Sequence, residues 1–396
     1  MDKKQVAIIG AGISGLLACK YCISKGFNPI VFDLESDIGG VWLKTIKTTR
    51  LQAPKALYQF TDFPWPESVI DHFPTQQQML DYLRTYATHF GLMRHIKLQS
   101  RVETISYDGP SSPAWNSSGE TFPKWNVSVN HTRTGTTQVV SIIGYVVDFV
   151  ILCLGRFKDV PNIPKFPAGK GPEVFRGKAI HSMEYAAMDH DKAAALVKGK
   201  KVVVVGFGKT GLDIARECSS ANDVRSCMIL YMPDPDNFFD EVEKKSINLK
   251  KSKHISFYEN GICIDEDKTQ IEAEVVIFAT GFKGEEKLKD IFESSRFGHF
   301  IAGSPRVPLY RAKWVAALLE GAFKLPSVDE MEKDIARWDE YMKQSTGEYH
   351  YRSPVGALEI WYNDQLCKDM GMNRMRKNGL FANLFEPHGP MDYVKH

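Results

Sequence analysis

The sequence has no strong excess of charge of either sign. Its 396 residues include 50 lysines and arginines and 48 aspartates and glutamates, so the formal net charge is +2. Proteins that bind nucleic acid or an acidic membrane surface through their overall charge carry a larger excess of cations. The composition therefore gives no reason to expect a nucleic-acid partner.

The sequence also lacks a long apolar run and a framework of paired cysteines. No apolar stretch approaches the ~18–20 residues that span a bilayer, so we predict no transmembrane segment. The seven cysteines are odd in number and scattered, which favours a reduced compartment. Residues 6–18 follow two lysines and superficially resemble a signal peptide, but their glycines have the spacing of a nucleotide site. We therefore predict a cytoplasmic protein.

Spacings typical of metal ligands are missing as well. The eleven histidines and seven cysteines form no such pattern, so we predict no metal site. Cys19 and Cys22 form a C-x-x-C pair within a predicted helix, and we interpret them as small residues that face the core. The chain is long enough for two or three domains.

The N-terminal segment has the pattern of a dinucleotide-binding unit. A predicted buried strand at 6–9 leads into Gly10, Gly12 and Gly15, which have G-x-G-x-x-G spacing. A helical stretch follows, and a second strand ends in Asp33. Within this order of strand, loop, helix, strand and acid, the glycine motif is strong evidence for a nucleotide site. A glycine-rich turn in a helical hairpin is the alternative.

Each part of this pattern has a physical role. Gly10 makes the tight turn, Gly12 leaves room for the pyrophosphate, and Gly15 lets the helix pack close to the strand. The helix N-terminus offers unpaired N–H groups to the phosphates, and Asp33 can accept hydrogen bonds from the adenosine ribose. The predicted contacts of the first site are Gly10, Ala11, Gly12, Ile13, Ser14, Gly15 and Asp33.

A second unit of the same kind lies in mid-chain. The β-branched stretch 202–205 predicts a strand, and a glycine loop and a helix follow it. Lys209 lies inside this loop, where it either adds positive charge near a phosphate or is a solvated surface lysine. The predicted contacts of the second site are Gly206, Phe207, Gly208, Lys209, Thr210 and Gly211. Two such sites favour a flavin that stays bound, at the N-terminal site, and a nicotinamide that delivers hydride.

Two further strands define the predicted domain organisation. Residues 149–154 lead to Gly155 and a proline-marked crossover, and residues 275–279 lead to a turn at 280–281. We predict that both strands return to the first domain. The predicted fold is therefore α/β, with two Rossmann-like domains and the NADPH domain inserted in the FAD domain. The predicted segments are 1–170 (FAD domain, first part), 171–274 (shortened NADPH domain) and 275–396 (FAD-domain completion and C-terminal helical region).

A motif between the two glycine loops resembles a known family. Phe175, Gly177, His181, Ser182 and Tyr185 form F-x-G-x-x-x-H-S-x-x-Y. This motif between two G-x-G-x-x-G loops resembles the pattern of flavin-containing monooxygenases and their Baeyer–Villiger relatives. Further segments resemble the same family: residues 58–66 resemble the stretch near the flavin in its plant branch, and 356–373 and 384–393 resemble the plant group that includes the defence-related N-hydroxypipecolate-forming enzyme. Residues 37–42 resemble the flavin-side G-G-x-W, and residues 279–282 resemble the linker turn.

The resemblance implies FAD and NADPH as cofactors and a small-molecule substrate. NADPH would reduce FAD, O₂ would form a flavin C4a-hydroperoxide, and one oxygen would pass to an amine nitrogen or a thioether sulfur, as in N,N-dimethylaniline monooxygenases. The resemblance also adds Gly40, Val41 and Trp42 to the predicted FAD site. Gln52 stands near the position of the asparagine with which animal members hold the hydroperoxide, so it is the candidate catalytic residue. We interpret His181 as an organiser of the linker between domains.

The sequence is shorter than the family pattern at two places. After the strand at 227–231 the family's arginine for the NADPH 2′-phosphate is absent, and residues 232–236 follow at once. After residues 308–311 the chain runs directly into a predicted helix, without the family's last strand. Two alternatives therefore stay open, a catalytically impaired flavoprotein and an NADPH oxidase that releases peroxide. Ser327 and Glu330 predict a capping box at a later helix.

Overall fold

A computed structural model gives the fold of the chain. It describes residues 3–109, 124–132, 139–155, 159–221, 228–229, 247–250, 252, 254–264, 268–283, 286, 291–293, 308–346 and 359–372. The predicted segments 232–236 and 384–393 lie outside these residues.

The described residues form helices and strands that alternate along the chain in the two nucleotide units. The helices are α1 Ile13–Ser24, α2 Lys55–Tyr58, α3 Gln76–His89, α4 Ser182–Ala187, α5 His190–Val197, α6 Lys209–Ala221, α7 Pro308–Glu320, α8 Val328–Thr346 and α9 Glu359–Asp369. Short 3-10 helices span Gly40–Leu43, Leu92–His95 and Pro172–Val174. The strands are β1 Gln5–Ile9, β2 Asn28–Phe32, β3 Ile96–Lys97, β4 Ser100–Asp108, β5 Lys124–Thr132, β6 Val139–Val147, β7 Phe149–Leu152, β8 Lys178–His181, β9 Val202–Val205, β10 Met228–Ile229, β11 Asn248–Leu249, β12 Ile255–Tyr258, β13 Gly261–Ile264, β14 Gln270–Glu272 and β15 Val275–Phe278.

The first parallel sheet has the strand order β3-β2-β1-β7. Residues 6–9 of its inner strand β1 are all apolar because both faces of the sheet are covered. Val6 and Ile8 pack against the side that carries α1 and α3. Ala7 and Ile9 pack against the antiparallel sheet β4-β5-β6 on the other side. The predicted strands of the first unit are confirmed, and β7 is the predicted return to this sheet.

The second parallel sheet has the order β8-β15-β9 and the same layers. Val202 and Val204 face the side of α5 and α6. Val203 and Val205 face the antiparallel sheet β12-β13-β14. The two units therefore share one plan, in which helices cover one face of a parallel sheet and a three-stranded meander covers the other.

The strand at 275–278 corrects the predicted boundary after residue 274. It pairs in parallel with β8 on one side and with β9 on the other, so it is the central strand of the second sheet. The predicted return of this strand to the first domain is therefore wrong. An apolar strand that is buried on both faces has the same sequence pattern in either sheet, so the pattern does not reveal its pairing partner.

The chain returns to the first unit after β15. The Ile105 amide donates to the Ile291 carbonyl at 2.7 Å, which places residues 291–293 against β4. Helix α7 packs on α1, and Leu366 and Cys367 of α9 are buried in the first core. These contacts confirm that the second Rossmann-like unit is inserted in the first.

The remaining helix predictions have mixed outcomes. Ser327 and Glu330 form the predicted capping box, with an N–H···O distance of 2.9 Å from Ser327 to Glu330. The segment from Pro308 belongs to α7 from its first residue, and the described residues contain no strand after β15. Among the described helices, none combines the length and apolar character that crossing a bilayer requires.

Candidate nucleotide-binding sites

The first glycine loop lies at the carboxyl end of β1, where only glycine fits at two positions. Gly10 has φ +108°, and a Cβ on it would lie 2.4 Å from the Cys153 carbonyl oxygen at the end of β7. A Cβ on Gly15 would lie 1.8 Å from the Gly10 oxygen. The turn and the close packing of α1 on the sheet therefore both require glycine, as predicted.

The predicted G-G-x-W segment closes over this loop. The Gly39 amide donates to the Ala11 carbonyl at 3.1 Å. Gly40 has φ +61°, and a Cβ on it would lie 2.9 Å from the Gly12 Cα. Trp42 is buried next to it, whereas the first turn of α1 is exposed at Ser14. The structure therefore brings the two predicted parts of the FAD site together and leaves the helix N-terminus accessible.

Asp33 lies at the end of β2 and faces the same loop. Its carboxylate accepts hydrogen bonds from the Ala11 amide at 2.5 Å and from the Glu35 amide at 2.9 Å. An ionised carboxylate can accept about four hydrogen bonds. Asp33 therefore holds the loop in shape, and its contact with the ribose stays a prediction.

The second glycine loop repeats the geometry of the first. Gly206 has φ +118°, and a Cβ on it would lie 2.3 Å from the Ala279 oxygen at the end of β15. A Cβ on Gly211 would lie 2.2 Å from the Gly206 oxygen. A Cβ on Gly208 would meet nothing within 4 Å. This open space at the start of α6 fits a diphosphate that approaches the backbone.

The side chain of Lys209 is not a free surface cation. It forms an ion pair with Asp213, one turn further along α6. The second carboxylate oxygen of Asp213 accepts a hydrogen bond from the Thr49 hydroxyl at 2.8 Å. Burial raises the pKa of Asp213, and the ammonium of Lys209 opposes this shift. Sequence reasoning missed this contact between the two units.

The two segments that connect the units pair with each other. The backbone N–H of Asn162 donates to the Gly281 carbonyl at 2.9 Å, and the backbone N–H of Lys283 donates to the Val160 carbonyl at 2.9 Å. His181 is buried beside them, and its Nε2 lies 3.0 Å from the Gly281 oxygen. These contacts support the interpretation of His181 as an organiser of the linker.

The hydrogen bonds of His181 define its protonation. The Met183 amide donates to Nδ1 at 3.1 Å, so the proton of the neutral ring is on Nε2, which donates to Gly281. Burial lowers the pKa of His181, and the bond to Gly281 opposes this in part. The ring is therefore neutral at pH 7.

The other predicted residues are less informative. Gln52 is exposed in the bend before α2, and its catalytic role stays a prediction. Cys19 and Cys22 are buried in the first core, and burial raises the pKa of each thiol to about 12. This agrees with their interpretation as core residues.

Two surface clefts lie away from the glycine loops. One, of about 570 Å³, is at the amino ends of β1 and β2, and the other, of about 680 Å³, is at the amino ends of β8 and β9. Nucleotides bind at the carboxyl ends of parallel strands. We therefore assign neither cleft to the nucleotides.

Comparisons with known proteins agree with this geometry. The profile of the family described as "FMO-like: Flavin-binding monooxygenase-like" matches residues 3–229. A protein of Arabidopsis thaliana, named as a probable flavin-containing monooxygenase, is 30% identical over 522 aligned residues, which cover 99% of this chain and 96% of the relative. This alignment is longer than the chain, so the relative has segments that this chain lacks.

Solved structures share the fold. The S-allyl-L-cysteine S-oxygenase of Allium sativum has a TM-score of 0.68 at 19% identity, and the match covers 94% of this chain and 89% of that chain. The structure of an OTEMO complex with FAD and NADP has a TM-score of 0.54 at 15% identity, and the match covers 74% of this chain and 75% of that chain.

Proposed function

This chain belongs to the flavin-binding monooxygenase-like family, and we propose that it transfers one oxygen atom of O₂ to an amine nitrogen or a thioether sulfur of a small molecule. It is a flavin-dependent monooxygenase that uses FAD and NADPH. The observation that carries the proposal is the pair of glycine loops with one backbone geometry in one chain.

We assign FAD to the first loop and NADPH to the second. At the first loop, the amides at the start of α1 would bind the diphosphate, Asp33 the ribose, and the segment Gly40–Leu43 would cover the flavin side. At the second loop, the open space at Gly208 and the amides at the start of α6 would bind the diphosphate, with Lys209 contributing its backbone N–H. Bound FAD supplies the acceptor for hydride and the reaction with O₂.

The proposed domain division follows the sheets. Residues 1–170 together with the segment from residue 291 form the FAD domain, and residues 171–278 form the NADPH domain. The paired linkers and His181 then connect the two domains at one place, which is where a change of domain orientation would be controlled.

Substrate-dependent NADPH oxidation by the purified chain tests the proposal. We expect a yellow protein that oxidises NADPH faster when N,N-dimethylaniline or a simple thioether is added, and that forms the N-oxide or the sulfoxide. Substrate-independent NADPH consumption with stoichiometric peroxide would contradict the proposal and favour the oxidase. Protein that stays colourless after incubation with FAD would favour the impaired flavoprotein.

A further inference from the structure

A threonine-rich segment of the first domain contacts the second. The segment, residues 45–49, follows the predicted flavin-side turn and is here called the threonine loop. Ile46 of this loop is 5% exposed and packs into the core of the second domain. Thr49 donates to Asp213 at 2.8 Å, and Thr48 donates to Glu217 at 3.2 Å. The loop is thereby held on two successive turns of α6.

Asp213 receives a partner from each side of this contact. Thr49 donates to one oxygen, and Lys209 pairs with the other. Thr45 lies behind Thr49, with a hydroxyl–hydroxyl distance of 3.2 Å. The Asp213 side chain is 15% exposed and that of Lys209 is 29% exposed, so both polar groups lie largely inside the contact. A buried carboxylate of this kind is stable only while its donors stay in place.

The contact joins two elements that begin at the nucleotide sites. The threonine loop continues the chain from Gly40 and Trp42, next to the first glycine loop. Helix α6 begins inside the second glycine loop. A fixed distance between these loops matters because hydride transfer requires the nicotinamide to lie against the flavin in one orientation.

We propose that Thr49 and Asp213 are positioning residues that fix the second nucleotide site relative to the first, and that the side chain of Lys209 holds Asp213 instead of binding a phosphate. This inference rests on the proposed function for its kinetic consequence. Its structural part, the coupling of the threonine loop to α6, does not depend on any nucleotide.

The first experiment measures hydrogen exchange in the chain without nucleotide. T49V removes the side-chain hydroxyl and keeps the shape of the side chain, whereas T49S keeps a hydroxyl at this position. The matched control is T85V, because the Thr85 hydroxyl donates to the backbone carbonyl of Asp81 within its own helix. We expect T49V to exchange faster at both 45–49 and 209–217, and T49S and T85V to match the wild type. Faster exchange of T49V at 45–49 alone would overturn the coupling.

The second experiment separates positioning from binding. In T49V we expect kcat for NADPH oxidation to fall about tenfold, because a hydrogen bond to a charged group is lost. The KM for NADPH should stay within about twofold of the wild-type value. T49S should restore kcat. In K209M, the Kd for NADP⁺ should stay within about threefold, whereas loss of a charged phosphate contact would raise it tenfold or more.

The outcomes distinguish this inference from the proposed function. An unchanged kcat in T49V, or a tenfold weaker Kd in K209M, would overturn the positioning roles. If the wild type binds no NADP⁺, the proposed function fails, and the exchange experiment still decides whether the two elements are coupled.

Discussion

In both nucleotide domains the first glycine turns against a carbonyl of a neighbouring strand and the third glycine packs on the first. A Cβ on Gly10 would contact the Cys153 carbonyl oxygen, and a Cβ on Gly206 would contact that of Ala279. The φ angles of these two glycines differ by only about ten degrees. The surroundings differ, since Gly40 and Asp33 close over the first loop whereas Gly208 of the second faces open space. The comparison indicates that the loop geometry is local, and we therefore expect the choice of nucleotide to depend on the residues that surround each loop.

The largest effects are expected from substitutions that disrupt one glycine loop at a time. A Cβ at residue 15 or 211 would lie 1.8 Å or 2.2 Å from a backbone oxygen, so valine cannot fit without separating helix and strand. We expect G15V to abolish FAD retention, and G211V to retain FAD but lose NADP⁺ binding. Absorption spectra and calorimetric NADP⁺ titrations check this. Loss of both nucleotides in G211V would show that the loops are not independent.

A smaller effect is expected when the open space at the second loop is filled. G208A should fold with an unchanged Tm, because its Cβ meets no atom of the chain. It should bind NADP⁺ about 10- to 100-fold more weakly, since the methyl group occupies the path of the diphosphate. The control is G144A, which adds a Cβ in open space on β6. Equal NADP⁺ affinity in G208A and wild type would refute the assignment of this loop.

A substitution of Asp33 tests whether the two loops bind different nucleotides. D33N removes a charged acceptor from the Ala11 amide and from the predicted ribose contact. We expect FAD affinity to fall about tenfold, with NADP⁺ affinity unchanged. Fluorescence titration of the flavin-free chain with FAD measures the first value. An equal loss at both sites would indicate a general loss of stability.

The smallest effect concerns the linker and its pH dependence. The folded pKa of His181 is lowered by burial, whereas an unfolded histidine has a pKa of about 6.5. Stability that depends on the neutral ring is therefore complete above pH ~6.5 and is lost as pH falls through the folded pKa.

We expect the wild-type Tm to fall more than that of H181Q between pH ~7.5 and ~5.5, by about 2 °C or less. His131, whose pKa burial also lowers, is present in both proteins and cancels. Parallel pH profiles would contradict the role given to the neutral ring.

The sequence predicts the parts of the fold that depend on neighbouring residues. The glycine spacings predict both loops, and the apolar runs predict the strands β1, β7, β9 and β15. The sheet that β15 joins was predicted wrongly, because pairing depends on residues far away in the chain. Thr49 and Asp213 are 164 positions apart, and neither the spacing nor the residue types signal their contact.

Helix α8 shows a second limit of periodicity. Met331, Ile335 and Trp338 recur at helical spacing after the capping box, which is the pattern of an amphipathic helix with one apolar face. Ile335 is nevertheless 67% exposed, and Trp338 stacks on the half-exposed Trp361 of α9. An amphipathic pattern predicts a helix, but the surface that the helix packs against depends on the rest of the fold.

The central claim is that one chain holds FAD at residues 10–15 and NADPH at residues 206–211. The most direct test is the anaerobic addition of NADPH to the purified, FAD-reconstituted protein while the visible flavin absorption is recorded. We predict that FAD stays with the protein through gel filtration and that its visible band bleaches with one equivalent of NADPH. A protein that retains no FAD, or bound FAD whose band persists in excess NADPH, would contradict the account.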